Sequence, residues 1–180
     1  MLKKPRVIVL DASAIIMGYD PFIGSNQYTV PKVLEELPSK GTGILRVKIA
    51  EQRGKLRVLE PSDKFSRRIF TLATEIGEGR SLSGADQDVL AVALELREKG
   101  ENPVIISDDY AIQNVAALLG IEYVSLATFG IRHRFHWVFY CPGCRKKYPS
   151  SYPQEYCRIC GTELKRKVLR KYIVKKESRG

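Results

Sequence analysis

The feature that most constrains this chain is Val7-Ile8-Val9-Leu10, an unbroken aliphatic run that ends on Asp11. Apolar residues without polar alternation suit a strand buried on both faces, as in the parallel sheet of an α/β protein. Val104-Ile105-Ile106-Ser107 repeats the plan and ends on Asp108-Asp109. In open α/β sheets, ligands sit just outside the carboxyl ends of the strands. Both runs therefore deliver acid to the edge where a site would lie.

The rest of the first 125 residues alternates strands with helices. A loop over 18–27 leads to a short strand, Tyr28-Thr29-Val30. Pro31 can open a helix, where its missing N–H costs nothing; Val33, Leu34 and Leu37 form its apolar stripe, and Pro38 stops it. A helix over 44–53 ends at Gly54, a strand covers 56–59 and a helix 62–76. Ser83, with Asp86 three residues on, forms an acidic variant of the capping box. That helix ends near Gly100. Strand 104–107, helix 109–119 closed by Gly120, and Tyr123-Val124 complete the series. The alternation predicts an α/β fold with a doubly wound parallel sheet.

Charge divides the chain unevenly. Residues 1–130 carry 16 Lys and Arg against 17 Asp and Glu, whereas residues 131–180 carry 14 against 3. A neutral domain followed by a basic segment points to a polyanionic partner, nucleic acid above all; a solubilising tail is the weaker reading. No window of about 18 apolar residues could span a membrane. The start, Met1-Leu2-Lys3-Lys4-Pro5-Arg6, has the basic character of a signal peptide, but Asp11 interrupts the apolar run and no cleavage site follows. These features predict a cytoplasmic protein.

All four cysteines lie in the last forty residues, as Cys141-Pro-Gly-Cys144 and Cys157-Arg-Ile-Cys160. Disulfides are the poorer explanation inside a cell. The two CxxC pairs, twelve residues apart, have the spacing of a four-thiolate zinc site. Gly143 and Gly161 are expected to let each knuckle turn around the metal. Four protein ligands fill the coordination sphere, so this zinc is expected to be structural. Phe135, Trp137 and Phe139 alternate with His136, Val138 and Tyr140 in a strand pattern that enters the first knuckle. These aromatics read as core for a small metal module before they read as a base-stacking platform. The organisation predicted is a domain over 1–125, a linker over 126–138, and a zinc ribbon with basic tail over 139–180.

The acids of the first half have ordinary explanations one at a time. Asp86 alone is a cap, and Glu36 alone is a solvated helix position. Asp11 at the end of a buried strand needs a partner. Carboxylates gathered at one edge repel unless a cation sits among them, and the motifs hold no basic residue at that edge. Hard oxygen ligands suit magnesium or manganese.

Taken in order, Leu10-Asp11-Ala-Ser-Ala, Leu34-Glu35-Glu36-Leu37, Asp86-Gln-Asp-Val-Leu-Ala and Ser107-Asp108-Asp109-Tyr110 resemble the motif set of PIN-domain nucleases. The resemblance implies a three-layer α/β/α sandwich whose acids bind divalent metal and cut single-stranded RNA, leaving a 5′-phosphate. By position the acids are Asp11, Glu36, Asp86 and Asp109, with Asp108 and Asp88 as helpers. Either Asp108 or Asp109, and either Glu35 or Glu36, could fill the respective roles. A PIN domain followed by a four-cysteine ribbon resembles the Nob-type family of endonucleases, and the compact length resembles its archaeal members. That resemblance implies maturation of the 3′ end of precursor small-subunit rRNA, within the assembling small ribosomal subunit and with a KH-type assembly factor as a further partner. A toxin-type PIN ribonuclease and a non-catalytic rRNA-binding factor are the alternatives. The only histidines, His133 and His136, lie outside the acid-bearing half, which favours metal over histidine chemistry.

Overall fold

The computed structural model describes residues 6–22, 26–126 and 133–173. Five parallel strands form the main sheet: β1 (Arg6–Leu10), β2 (Gln27–Thr29), β3 (Leu56–Val58), β4 (Asn102–Ile106) and β5 (Glu122–Val124), in the order β3-β2-β1-β4-β5. Helices α1 (Ala12–Ile16), α2 (Pro31–Glu36), α3 (Thr42–Gln52), α4 (Asp63–Ile76), α5 (Gly84–Glu98) and α6 (Tyr110–Leu119) connect them. The chain builds outward from β1 to β3, then returns to pair β4 with the other side of β1. The order therefore reverses between β1 and β4, the switch point at which a crevice opens beyond the strand ends. Leu10 pairs with Ile106, so Asp11 and Ser107 emerge side by side.

Val7, Val9, Leu10, Val104, Ile105 and Ile106 are all buried, as their uninterrupted pattern requires. Helix α5 is buried on most of its circumference, through Val89, Leu90, Val92, Ala93 and Leu94, because it packs against β1, β4, α2, α4 and α6 together. Helix α4 is one-sided. Phe65, Ile69, Ala73 and Ile76 face the core, and Gly77 closes the helix in the left-handed conformation.

Element boundaries moved where close packing outweighed local propensity. Helix α3 begins at Thr42 rather than 44 and includes Gly43. A Cβ on Gly43 would lie 3.3 Å from Ile15 Cγ2, so this glycine marks a close approach to α1 and not a break. Strand β4 starts two residues early, and Pro103 opposes Val7 near the strand start, where a missing N–H is tolerated.

The second unit is a three-stranded antiparallel sheet, β7-β6-β8, made of β6 (His133–Tyr140), β7 (Lys147–Tyr148) and β8 (Lys165–Ile173). Strand β6 begins inside the segment 126–138, of which residues 127–132 lie outside the described residues. The small core is Phe139, Cys141, Tyr148, Cys157 and Leu164, with Tyr152 against it. Trp137, on the same side of β6 as Phe139, leaves this core and reaches the first unit instead.

The contact between the units centres on Glu78, just past α4 and only 5% exposed. Its Oε1 accepts hydrogen bonds from Asn114 Nδ2 at 3.0 Å and Trp137 Nε1 at 2.7 Å. Its Oε2 pairs with Arg166 Nη2 at 3.0 Å. Ser150 donates to the Glu75 carbonyl at 2.6 Å, and the Arg80 guanidinium lies 4.7 Å above the Phe139 ring. A Cβ on Gly77 would come within 2.7 Å of Trp137 Cβ. The backbone of one unit thus meets a side chain of the other at the one residue type that leaves room.

Candidate active site and zinc centre

Asp11 is 3% exposed and ends β1. Its Oδ1 accepts from Ala12 N at 2.6 Å, and its Oδ2 accepts from the hydroxyls of Ser13 and Ser107, both at 2.7 Å. Those hydroxyls accept in turn: Ser13 Oγ from Asp108 N at 3.1 Å, and Ser107 Oγ from Asp109 N at 3.0 Å. One buried carboxylate thus orients the backbone of both acids that follow β4. A buried charge needs such partners to be tolerated.

Asp86 comes to this edge from α5. Ser83 Oγ accepts from Asp86 N at 3.2 Å, and Asp86 Oδ2 accepts from Ser83 N at 2.6 Å, so the expected capping box is formed. Burial raises the Asp86 pKa above its ordinary value, the bonds with Ser83 oppose that rise, and the negative charges of Asp11 and Asp109 add to it. Asp109 caps α6, with Oδ1 accepting from Ala111 N at 2.6 Å and Ile112 N at 3.2 Å. Its Oδ2 accepts no hydrogen bond from the described residues. Glu36, exposed at the end of α2, is drawn in through Ser83 Oγ, which donates to Glu36 Oε1 at 3.3 Å.

The two helper acids have partners of their own. Asp108 accepts from Ser125 Oγ and, at 3.3 Å, from Leu126 N, just beyond the carboxyl end of β5. Asp88 pairs with Lys32 Nζ at 2.9 Å. Lys32 lies outside the acidic motifs, which hold no basic residue of their own. Lys32 sits one residue after Pro31, on the exposed side of α2, and only the packing of α2 on α5 brings it to Asp88. The sequence reading also missed Ser13 and Ser107 as organisers of the site. The signal was a hydroxyl two residues beyond one acid and another immediately before the next.

Capping explains the position of Asp11, Asp86 and Asp109 but not their charge. Serine, threonine or asparagine caps as well. Burial first, and then the charges of Asp11 and Asp109, disfavour an ionised Asp86, and a divalent cation at this edge would offset that. The donor set, oxygen only, fits magnesium or manganese.

The cysteines form the one cluster, among the described residues, in which His, Cys, Asp or Glu ligand atoms from at least three residues lie within 4.8 Å of one another. Cys141 Sγ and Cys160 Sγ are 3.3 Å apart, and Cys144 Sγ and Cys157 Sγ 3.5 Å. Four thiolates at a zinc–sulfur distance of about 2.3 Å would be about 3.8 Å apart, so these side chains need only small adjustments to hold zinc. The knuckles repeat one another. Cys141 N donates to Lys146 O and Cys157 N to Thr162 O, while Arg145 N donates to Cys141 O and Gly161 N to Cys157 O. The left-handed residues are Arg145 and Gly161, at matching positions. Gly143, expected to supply the first turn, is required for a different reason: its Cβ would meet Thr162 Oγ1 at 2.7 Å.

Residues 8–96 match the family described as PIN domain of ribonuclease. The chain is 40% identical over 175 residues to the endoribonuclease Nob1 of Methanocaldococcus jannaschii, covering 97% of this chain and 84% of that protein. It is 39% identical to the endoribonuclease Nob1 of Methanothermobacter thermautotrophicus, covering 88% and 91%. Ribonuclease VapC1 of Thermoplasma acidophilum is 32% identical, covering 89% and 77%. A PIN ribonuclease domain followed by a four-cysteine ribbon, with identity running through nearly the whole length, places this chain in the Nob1 endoribonuclease family.

Proposed function

We propose that this chain is a divalent-metal-dependent endoribonuclease that cleaves precursor small-subunit rRNA to form its mature 3′ end, in the cytoplasm. The observation that carries the reading is the hydrogen-bonded acid edge, in which the Asp11 carboxylate, through Ser13 and Ser107, orients the backbone of Asp108 and Asp109. Asp11, Asp86 and Asp109, with Glu36 beside Ser83, would hold manganese or magnesium. When bound, such an ion lowers the pKa of a water nucleophile and stabilises charge on the attacking and leaving oxygens. Asp109 offers its free Oδ2, and Asp11 fixes the backbone of the Asp108-Asp109 turn. Both carboxylate oxygens of Asp108 accept from Ser125 and Leu126, whereas only Oδ1 of Asp109 caps α6, which supports Asp109 over Asp108 as the acid of the centre. Asp108 and Asp88 hold the surrounding framework through Ser125 and Lys32.

The four cysteines would carry one structural zinc, and the basic ribbon would grip RNA through phosphate contacts. The partner is the assembling small ribosomal subunit, with a KH-type assembly factor as a further candidate. The similarity to a protein named ribonuclease VapC1 supports a second reading, a toxin-type ribonuclease acting on other RNA. Incubation with manganese and two RNAs decides between them. One RNA spans the mature small-subunit 3′ end and the other is an unrelated single strand. Cleavage of the first at one bond supports rRNA maturation, whereas equal cleavage of both supports the second reading. No cleavage of either, with zinc-loaded protein, refutes both.

A further inference from the structure

A cleft of about 360 Å³ runs between the start of α6 and the zinc ribbon. Its lining includes Asp109, Tyr110, Glu78, Ser81, Trp137 and Arg166. We propose that this cleft is a nucleotide subsite, receiving one unstacked base of single-stranded RNA next to the bond addressed at the acid edge. The proposal rests on the nuclease reading above and extends it to a residue, Tyr110, and to the ribbon.

The cleft has the size of a small-ligand site, roughly 300–1,000 Å³. Its walls are planar groups. Tyr110 follows Asp109 directly and is 57% exposed, so a large aromatic face stands beside the acid edge. Also in the lining, the Arg166 guanidinium lies 4.4 Å from the centroid of the Trp137 ring. Unstacked bases bind between aromatic rings and guanidinium planes of this kind.

The arrangement is set before any ligand arrives. Arg166 is fixed by Glu78 and by a hydrogen bond to Ser81 Oγ, and Trp137 by its bond to Glu78. Little side-chain entropy remains to be lost on binding. The Arg166 charge neutralises Glu78, so that wall does not repel a phosphodiester. Lys165 and Lys167, its neighbours on β8, alternate to the other face of the sheet, where Lys167 lies 5.8 Å from the centroid of the Tyr140 ring, so Arg166 is the cation of this cleft. A flat, unstacked base matches the planar groups of the lining, Tyr110, Trp137 and the Arg166 guanidinium.

The test uses the full-length, zinc-loaded chain and a short RNA in which single bases near the cut are removed one at a time. One position should lower kcat/KM of the wild type about tenfold, mainly through KM, the size of one base-stacking contact. Tyr110→Ala should lower kcat/KM on intact RNA by a similar factor and lose nothing more on the RNA lacking that base. Tyr110→Phe should restore the rate. The Tyr110 ring is exposed, so the melting temperature should not change. Full activity of Tyr110→Ala, or losses that multiply at every position, would overturn the subsite. If the wild type cuts no RNA, the nuclease reading fails and the subsite is judged by binding alone. A 2-aminopurine base near the expected cut is then quenched by the wild type and not by Tyr110→Ala if the cleft holds it. Equal quenching by both would overturn it.

Discussion

Asp11 and Ser107 are 96 residues apart in sequence and share a buried 2.7 Å hydrogen bond. The bond exists because β1 and β4 are neighbours with Leu10 opposite Ile106, which brings the two strand ends together. Through this hydroxyl and that of Ser13, one carboxylate positions the N–H groups of both Asp108 and Asp109. The acid edge is therefore a hydrogen-bonded assembly as well as a collection of charges.

That assembly changes what a substitution at Asp11 should do. From charge alone, Asp11→Asn would leave the fold untouched or slightly more stable. The structure adds three bonds that the carboxylate accepts. Asp11→Ala leaves their donors unsatisfied and should cost about 2–4 kcal/mol. Asp11→Asn can re-form part of the network, with the serine hydroxyls accepting, and should cost about 1 kcal/mol. Both should abolish cleavage. Urea titrations and manganese-dependent cleavage assays check this, and wild-type cleavage by Asp11→Asn would remove Asp11 from the metal centre.

Asp86 predicts a pH dependence. Its folded-state pKa is raised above the ordinary 3.8. Its stabilising contribution is thus complete below that value and is lost as pH rises through the folded pKa. At neutral pH and without divalent ions, the ionised group burdens the fold. Asp86→Asn keeps an oxygen for Ser83 N while removing the charge. Its melting temperature should exceed that of the wild type at pH 7, and the gap should close towards pH 4. Manganese should raise the wild-type value more than that of the variant. A gap that widens on acidification would contradict the account.

The contact between the units should depend on Gly77. A Cβ there meets Trp137 at 2.7 Å, and φ is +80°, so Gly77→Ala meets both a clash and a strained backbone. We expect the ribbon to lift off, Trp137 fluorescence to change, and proteolysis to become faster between the units. Glu78→Gln should do the same more mildly, because it removes the charge that pairs with Arg166 while keeping the shape. Unchanged proteolysis in both variants would mean that the contact contributes little.

Zinc removal should unfold the ribbon and leave the parallel sheet folded. The ribbon core has five buried residues, two of them cysteines, too few to fold without the metal. One zinc per chain is expected by elemental analysis. A circular dichroism change confined to the antiparallel unit should follow chelation. Protein purified without chelator that contains no zinc would refute the site.

Removing residues 131–180 should weaken RNA binding and flatten its salt dependence, because 14 of the 30 Lys and Arg residues leave with that segment. The truncation also strips Glu78 of Arg166 and Trp137, so the remaining domain should lose stability along with affinity. Binding titrations at several salt concentrations and a melting curve measure the two effects separately. Equal affinity and equal salt slope would assign the RNA to another surface.

Much of this protein is determined by local sequence. An aliphatic run has nowhere to go but a buried strand, Ser83 and Asp86 spell a capping box by their spacing, and two CxxC pairs describe a zinc site by spacing alone. Acids that end strands are also visible, because chain order places them at strand ends whatever the sheet order. Partnership was not visible, because it depends on which strands and helices become neighbours. Lys32 reaches Asp88 only when α2 packs on α5, and Ser107 reaches Asp11 only when β4 pairs with β1. Trp137 looked like ribbon core because strand alternation gives a side chain its face but not the surface it meets. Gly43 and Gly77 each mark a close approach between elements distant in sequence, which no local pattern announces. Local propensity and spacing decide which elements form. Long-range packing decides which side chains share a carboxylate, and so which acids become a site.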